Sequence, residues 1–187
     1  MSSTKVQIGL PGHSAPGVGF EAPFEMLDAC HERVQRKLAL LAKLQQHTQA
    51  HGWSEPVAQA AVDVMRYFDQ AAPHHHEDEE RHVFPPLLAQ RDPAVLAVVI
   101  RLRQDHREMA VQWARVRAAL LALVEAGDRW AGFSADDLRL FDAYDALYRR
   151  HLVDENGVVY PAARSLIRGE VLQAMSADMM ARRGVRR

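Results

Sequence analysis

The chain has 187 residues, 48% hydrophobic and 25% charged, the profile of one globular domain that can bury about 70% of its unfolded surface without help from disulfides. Lysine plus arginine number 23 against 24 aspartate plus glutamate, a net charge of −1 that excludes nucleic-acid or anionic-membrane binding by bulk charge. The single cysteine, Cys30, cannot close an intrachain bridge and points to a reducing compartment, whereas ten histidines are more than such a chain usually carries and suggest a metal site.

Residues 1–20 are rich in Gly, Pro and Ser and read as a flexible arm in which His13 is solvated. This segment has neither a signal-type apolar region nor a cleavage site, and no window approaches the roughly 18 apolar residues of a membrane span, so the expected location is the cytoplasm. From Phe24 onward apolar residues recur every three or four positions, the helical period. A first helix over 23–50 carries Leu27, His31, Val34, Leu38 and Leu41 on one stripe and is closed by Gly52. Ser54 is placed to cap a second, with Pro56 in its first turn and a stripe of Ala61, Val64, Phe68, Ala72, His75 and Glu79; Pro73 is expected to kink it. Asp92-Pro93 opens a third, with Val95, Val99, Leu102, His106, Met109, Trp113, Val116 and Leu120 in line until Gly127. Ser134 and Asp137 form a capping-box pattern for a fourth, whose stripe is Leu138, Phe141, Tyr144, Tyr148, His151 and Glu155. Residues 161–180 read as one or two short helices, followed by a basic tail at Arg182, Arg183, Arg186 and Arg187 expected to be solvated. The predicted fold is all-α, an up-down-up-down antiparallel four-helix bundle over residues 21–168 with a short C-terminal helix and tail over 169–187.

Chemistry is carried by an internal repeat. His75 to Pro85 lies over His151 to Pro161, both reading His-x3-Glu-x4-aromatic-Pro, and each half has a lone stripe histidine upstream, His31 by 44 residues and His106 by 45. Residues four apart share a helix face about 6 Å apart, so His75 with Glu79, and His151 with Glu155, can converge inside a bundle. Four imidazoles and two carboxylates exceed what one ion can absorb and suit two ions bridged by the glutamates, which removes the cost of burying unpaired carboxylates. The candidate metal ligands are therefore His31, His75, Glu79, His106, His151 and Glu155. A lone histidine on an apolar stripe is usually a hydrogen-bonded core residue; four on four helices, related by a repeat, reverse that expectation. His76/Glu80 has the same spacing as His75/Glu79 and is the alternative register; the repeat favours 75/79, leaving His74, His76 and His82 outside the ligand set or exposed. His47 and His51 read as a surface pair, Tyr144 and Tyr148 as core by default, and Cys30 as a packed small residue.

The segments "ACHERV", "HHHEDEERHVFP", "QDHREM" and "RRHLVDENGVVYP" resemble the hemerythrin-like HHE cation-binding proteins over about residues 22–168. The resemblance implies a four-helix bundle around a bridged non-haem diiron site. Oxygen-carrying members have a second histidine where this chain has Ala110, and an aspartate where it has Asn156 with Glu155 beside it, departures that favour the broader HHE-type group over reversible O2 carriage.

The expected cofactor is two Fe ions, with Mn or Zn as alternatives, because mixed imidazole and carboxylate donors in a bridged octahedral pair suit iron and zinc usually prefers a closed tetrahedron. The expected function is binding or sensing of O2, NO or peroxide. The alternatives are a diiron enzyme removing peroxide or reducing NO or O2, and an iron storage or metal-stapled interaction module. The expected partners are that small ligand and an unidentified protein or redox partner, with no nucleic acid and no membrane.

Overall fold

The computed structural model describes residues 19–185. The N-terminal arm up to residue 18, with His13, and the last two arginines lie outside the described residues. All regular structure among those described is helical: α1 (Pro23–His51), α2 (Glu55–Asp78), α3 (Phe84–Gln90), α4 (Pro93–Ala126), α5 (Ala135–Asp154), α6 (Tyr160–Leu166) and α7 (Gly169–Arg182).

Local chemistry sets the helix ends. The Asp92 carboxylate accepts from the N–H groups of Ala94 and Val95, and Ser134 exchanges hydrogen bonds with Asp137 in a complete capping box. Gly52 and Gly127 end α1 and α4 at φ of 74° and 60°, a backbone region open to glycine at little cost. Ser54 holds the N-cap position of α2, but its side chain makes no capping bond; its carbonyl instead accepts from Val57 and Ala58.

Pro73 does not end α2, which runs as one helix to Asp78. The departure from α geometry comes later, and twice. Glu79–Val83 and Glu155–Val159 are π turns, in which Phe84 N–H donates to Glu79 O and Tyr160 N–H to Glu155 O. One aromatic residue after each comes a proline, Pro85 or Pro161, whose ring would strike the carbonyl four residues back in a regular helix. The wider turn relieves that clash, and one-turn π insertions of this kind concentrate at functional sites.

Packing is cyclic: α1 lies on α2, α2 on α4, α4 on α5 and α5 on α1. The interior has two apolar regions. One gathers Leu38, Leu41, Phe68, Val116, Leu120 and Phe141; the other gathers Leu27, Phe84, Leu102, Tyr160, Met175 and Met179. On α1 and α4 the buried histidine falls between residues of the two regions. On α2 and α5 it lies near the helix end, ahead of Val83 and Val159 of the second region, so a polar layer crosses the bundle between them. The last helix is more than an extension. Met175 and Met179 of α7 complete the second apolar region, and Arg182 and Arg183 both pair with the fully buried Asp78 of α2. The basic tail expected to be solvated is thus, at these two arginines, a clamp, because a buried carboxylate next to the polar layer must be paired.

A buried histidine and carboxylate centre

The six sequence-selected residues meet in one place. His31 projects from α1, His75 from α2, His106 from α4 and His151 from α5, while Glu79 and Glu155 open the two π turns; all six are buried and both glutamates are 0% exposed. The Nε2 atoms of His31 and His75 stand 3.1 Å apart, and those of His106 and His151 3.2 Å apart. Each glutamate spans both pairs. Glu79 presents Oε1 to His75 at 3.5 Å and Oε2 to His106 at 3.5 Å; Glu155 presents Oε2 to His31 at 3.1 Å and Oε1 to His151 at 2.9 Å.

This geometry suits cations better than hydrogen bonds. The two Glu155 oxygens and Glu79 Oε2 are buried without a hydrogen-bond partner, because the imidazole contacts have ion-pair distance without hydrogen-bond alignment. Two imidazole nitrogens about 2.1 Å from one ion at a right angle would lie ~3 Å apart, close to both observed separations. His31, His75, Glu79 and Glu155 can offer donor atoms to one ion, and Glu79, His106, His151 and Glu155 to a second, each set lying within 4.8 Å.

Two of the outer imidazole nitrogens, those of His31 and His106, are hydrogen-bonded, a third faces a carboxylate, and His75 Nδ1 is buried without a partner; the held rings are fixed with Nε2 inward. His31 Nδ1–H donates to Asn156 Oδ1 at 2.9 Å, His106 Nδ1–H donates to Glu80 at 3.0 Å, and His151 Nδ1 lies 3.5 Å from Asp105, itself bound by Arg150. Tyr160 stacks on His31 at 4.9 Å, and its hydroxyl donates to Glu79 Oε1 at 2.6 Å. Its counterpart in the repeat, Phe84, stacks on His106 at 5.7 Å and has no hydroxyl to offer.

His76 departs from the sequence expectation. The structure brings it to the centre beside His75 and does not replace one with the other: its ring lies flat on His106 at 4.0 Å, and His76, His106 and His151 form a third set that could share an ion. Because α2 packs between α1 and α4, neighbours about 100° apart on its face can each meet a different helix, His75 turning to His31 and His76 to His106. His82 is half-buried against Asp178 of α7, and the His47 and His51 rings stack on each other at an exposed helix end. Tyr144 and Tyr148 pack with Phe68, and Cys30 is a buried free thiol.

Charges inside the layer are balanced internally. Burial depresses the His151 imidazole, but Glu155 and Asp105 outweigh it and lift it to about 10. Burial also opposes charge on His31, whose pKa nonetheless rises through Glu155 and Glu79. Both glutamates stay below the usual carboxylate range despite burial, held there by the imidazoles. His75, in contrast, is pushed down by burial to about 3, and His76 falls well below its ordinary value for the same reason. The layer therefore contains imidazoles that are already neutral and others that act as cations for the carboxylates.

A helical bundle with buried His/Glu sets able to hold cations, duplicated across two helix pairs, defines a cation-binding helical protein. The chain belongs to the family described as the hemerythrin HHE cation binding domain, whose model matches residues 22–178. It is also 29% identical over 164 residues to an uncharacterized protein of Haemophilus influenzae, an alignment covering 88% of this chain and 91% of that one. No helix among the described residues is long and apolar enough to cross a membrane.

Proposed function

We propose that the layer holds two iron ions, one on His31 and His75 and the other on His106 and His151, bridged by Glu79 and Glu155, and that this centre binds or senses O2, NO or peroxide. The observation that carries the reading is that each glutamate directs one oxygen to one histidine pair and its other oxygen to the other pair. Imidazole-rich, carboxylate-poor donors in a bridged octahedral pair favour iron over zinc, which closes tetrahedrally. An iron pair supplies the redox-active, openable positions at which a diatomic or peroxide can bind. The protein's part is to hold the Nε2 atoms of His31, His106 and His151 inward through Asn156, Glu80 and Asp105, to fix His75 by packing alone, and to exclude water with the two apolar regions. An up-down-up-down antiparallel run of α1, α2, α4 and α5 belongs to the same reading. So does a location in the reducing cytoplasm with an unidentified protein or redox partner.

A second reading, an enzyme that removes peroxide or reduces NO or O2, is favoured by one feature. The buried Tyr160 hydroxyl stands between His31 and Glu79, a proton-bearing group inside the centre. Metal analysis and optical spectra of anaerobically purified protein, before and after O2, NO and H2O2, test both readings. About two irons per chain with stoichiometric spectral changes support binding, and sustained consumption supports turnover. Colourless protein with less than one iron per chain overturns both.

A further inference from the structure

The wall between α2 and α4 contains a cavity of about 170 Å³, lined by Pro73, His76, Ala110, Trp113, Tyr144 and Tyr148 among others. Its outer lip is made by two exposed small residues, Pro73 and Ala110, and its walls are aromatic and aliphatic. At its inner side is His76, whose opposite contact is the His106 ring, 4.0 Å away face to face. A single imidazole thus separates the cavity from the His106 and His151 pair.

We infer that this cavity is the port and holding site through which an uncharged diatomic gas reaches the His106/His151 side of the centre, with His76 as its inner wall. This rests on the proposed function and narrows it to a gas. The lining is mostly apolar, with His76 and the two tyrosines as its few polar groups, so a hydrogen-bonding molecule such as peroxide recovers little of its hydration on entering, whereas O2 or NO gives up little. The size fits, since a dry apolar cavity of roughly 150 Å³ accommodates xenon or benzene. The contrast with the larger opening between α1 and α5 is chemical. That opening, about 640 Å³, mixes Leu38, Leu152 and Val153 with Gln35, Arg149 and Asn156, so it has charged and amide groups that admit water and polar solutes.

Xenon tests the cavity without any iron chemistry. Metal-free or zinc-loaded protein should show saturable xenon binding by 129Xe NMR, and Ala110→Phe and Ala110→Leu should abolish it, while Ala60→Leu, in a separate apolar groove, should not. No saturable xenon signal, or one that survives both Ala110 substitutions, overturns the inference. In ferrous protein, Ala110→Phe should slow NO association about tenfold or more while leaving metal content and the H2O2 reaction within about twofold of wild type. An unchanged NO rate overturns the port, and equal slowing with NO and H2O2 also overturns it, because the substitution would then have disturbed the centre itself. If the chain takes up no iron, the proposed function fails while the xenon result still decides the cavity.

Discussion

The Tyr160 hydroxyl donates to Oε1 of Glu79 at 2.6 Å, joining the aromatic of one half of the repeat to the carboxylate of the other. The reciprocal bond does not exist, because Phe84 occupies the matching place beside His106. Tyr160→Phe should keep the stack on His31 and remove the donor, leaving a buried carboxylate oxygen poorer by one hydrogen bond. A loss of about 1–3 kcal/mol is expected in metal-free protein. The loss should be smaller in metal-loaded protein, where a cation satisfies Glu79. Urea midpoints with and without metal give the comparison, and equal losses in both would contradict a cation at Glu79.

The directions of the pKa shifts fix how the metal-free protein responds to pH. His31 and His151 are raised, so their contribution is complete below the unfolded value of 6.5 and disappears as pH rises through the folded value, about 10 for His151. His75 and His76 are lowered, so stability falls as pH drops from 6.5 and the unfolded chain takes up protons that the folded one refuses. Glu79 and Glu155 are lowered too and add to the acid loss below 4.5. Stability without metal should therefore peak near pH 6.5 and fall on both sides, as thermal melts across pH would show. A metal at His151 must expel its proton at pH 8, so calorimetric titration in two buffers of different ionisation enthalpy should reveal proton release. None at pH 8 would contradict ligation there, as would metal content that stays flat as pH falls from 6 to 4.

The Arg182 and Arg183 clamp on Asp78 joins the last helix to the residue just before Glu79. Removing both partners of a fully buried carboxylate is expected to cost about 3–5 kcal/mol. The double substitution Arg182→Ala, Arg183→Ala should thus lower the urea midpoint strongly. Adding Asp78→Asn should recover part of the loss, because no buried charge then remains. A double variant as stable as the wild type would show that the tail is solvated after all.

The helices and the six-residue centre were legible because both depend on a period. Spacings of three and four located the stripes, and the repeat picked out His75 and His151 among ten histidines. What stayed hidden depends on breaking that period. Five residues separate Glu155 from Tyr160, which in a regular α-helix turns Tyr160 about 140° away from the centre; the π turn returns it to the same face. The repeated prolines at 85 and 161 were the available signal for those turns. Asp105, Glu80 and Asn156 sit beside stripe residues, and sequence does not say which neighbour reaches back to a ring nitrogen. Arg182 and Arg183 read as a solvated tail because Asp78, the charge they neutralise, looks like one more acidic residue within a charged run.

His76 gives the sharpest comparison, because His74, His75 and His76 are consecutive and the structure assigns them different surroundings. His75 meets His31, His76 lies on His106 within reach of His151, and His74 belongs to none of the sets that could share an ion. A stacked imidazole that only packs can be replaced with little effect on metal affinity. One that donates to the ion, or orients His106, cannot, and losses of about 10–100-fold are typical for groups that orient ligands. His76→Ala should therefore weaken zinc or ferrous binding selectively at one of two sites, giving a two-step titration in which one step keeps its wild-type affinity. His74→Ala should leave both steps unchanged. Because Ala also removes packing, His76→Phe supplies the control: it restores a ring against His106 but no nitrogen, and it should bind metal as poorly as His76→Ala. Recovery of wild-type affinity in His76→Phe would show that the ring serves only to pack.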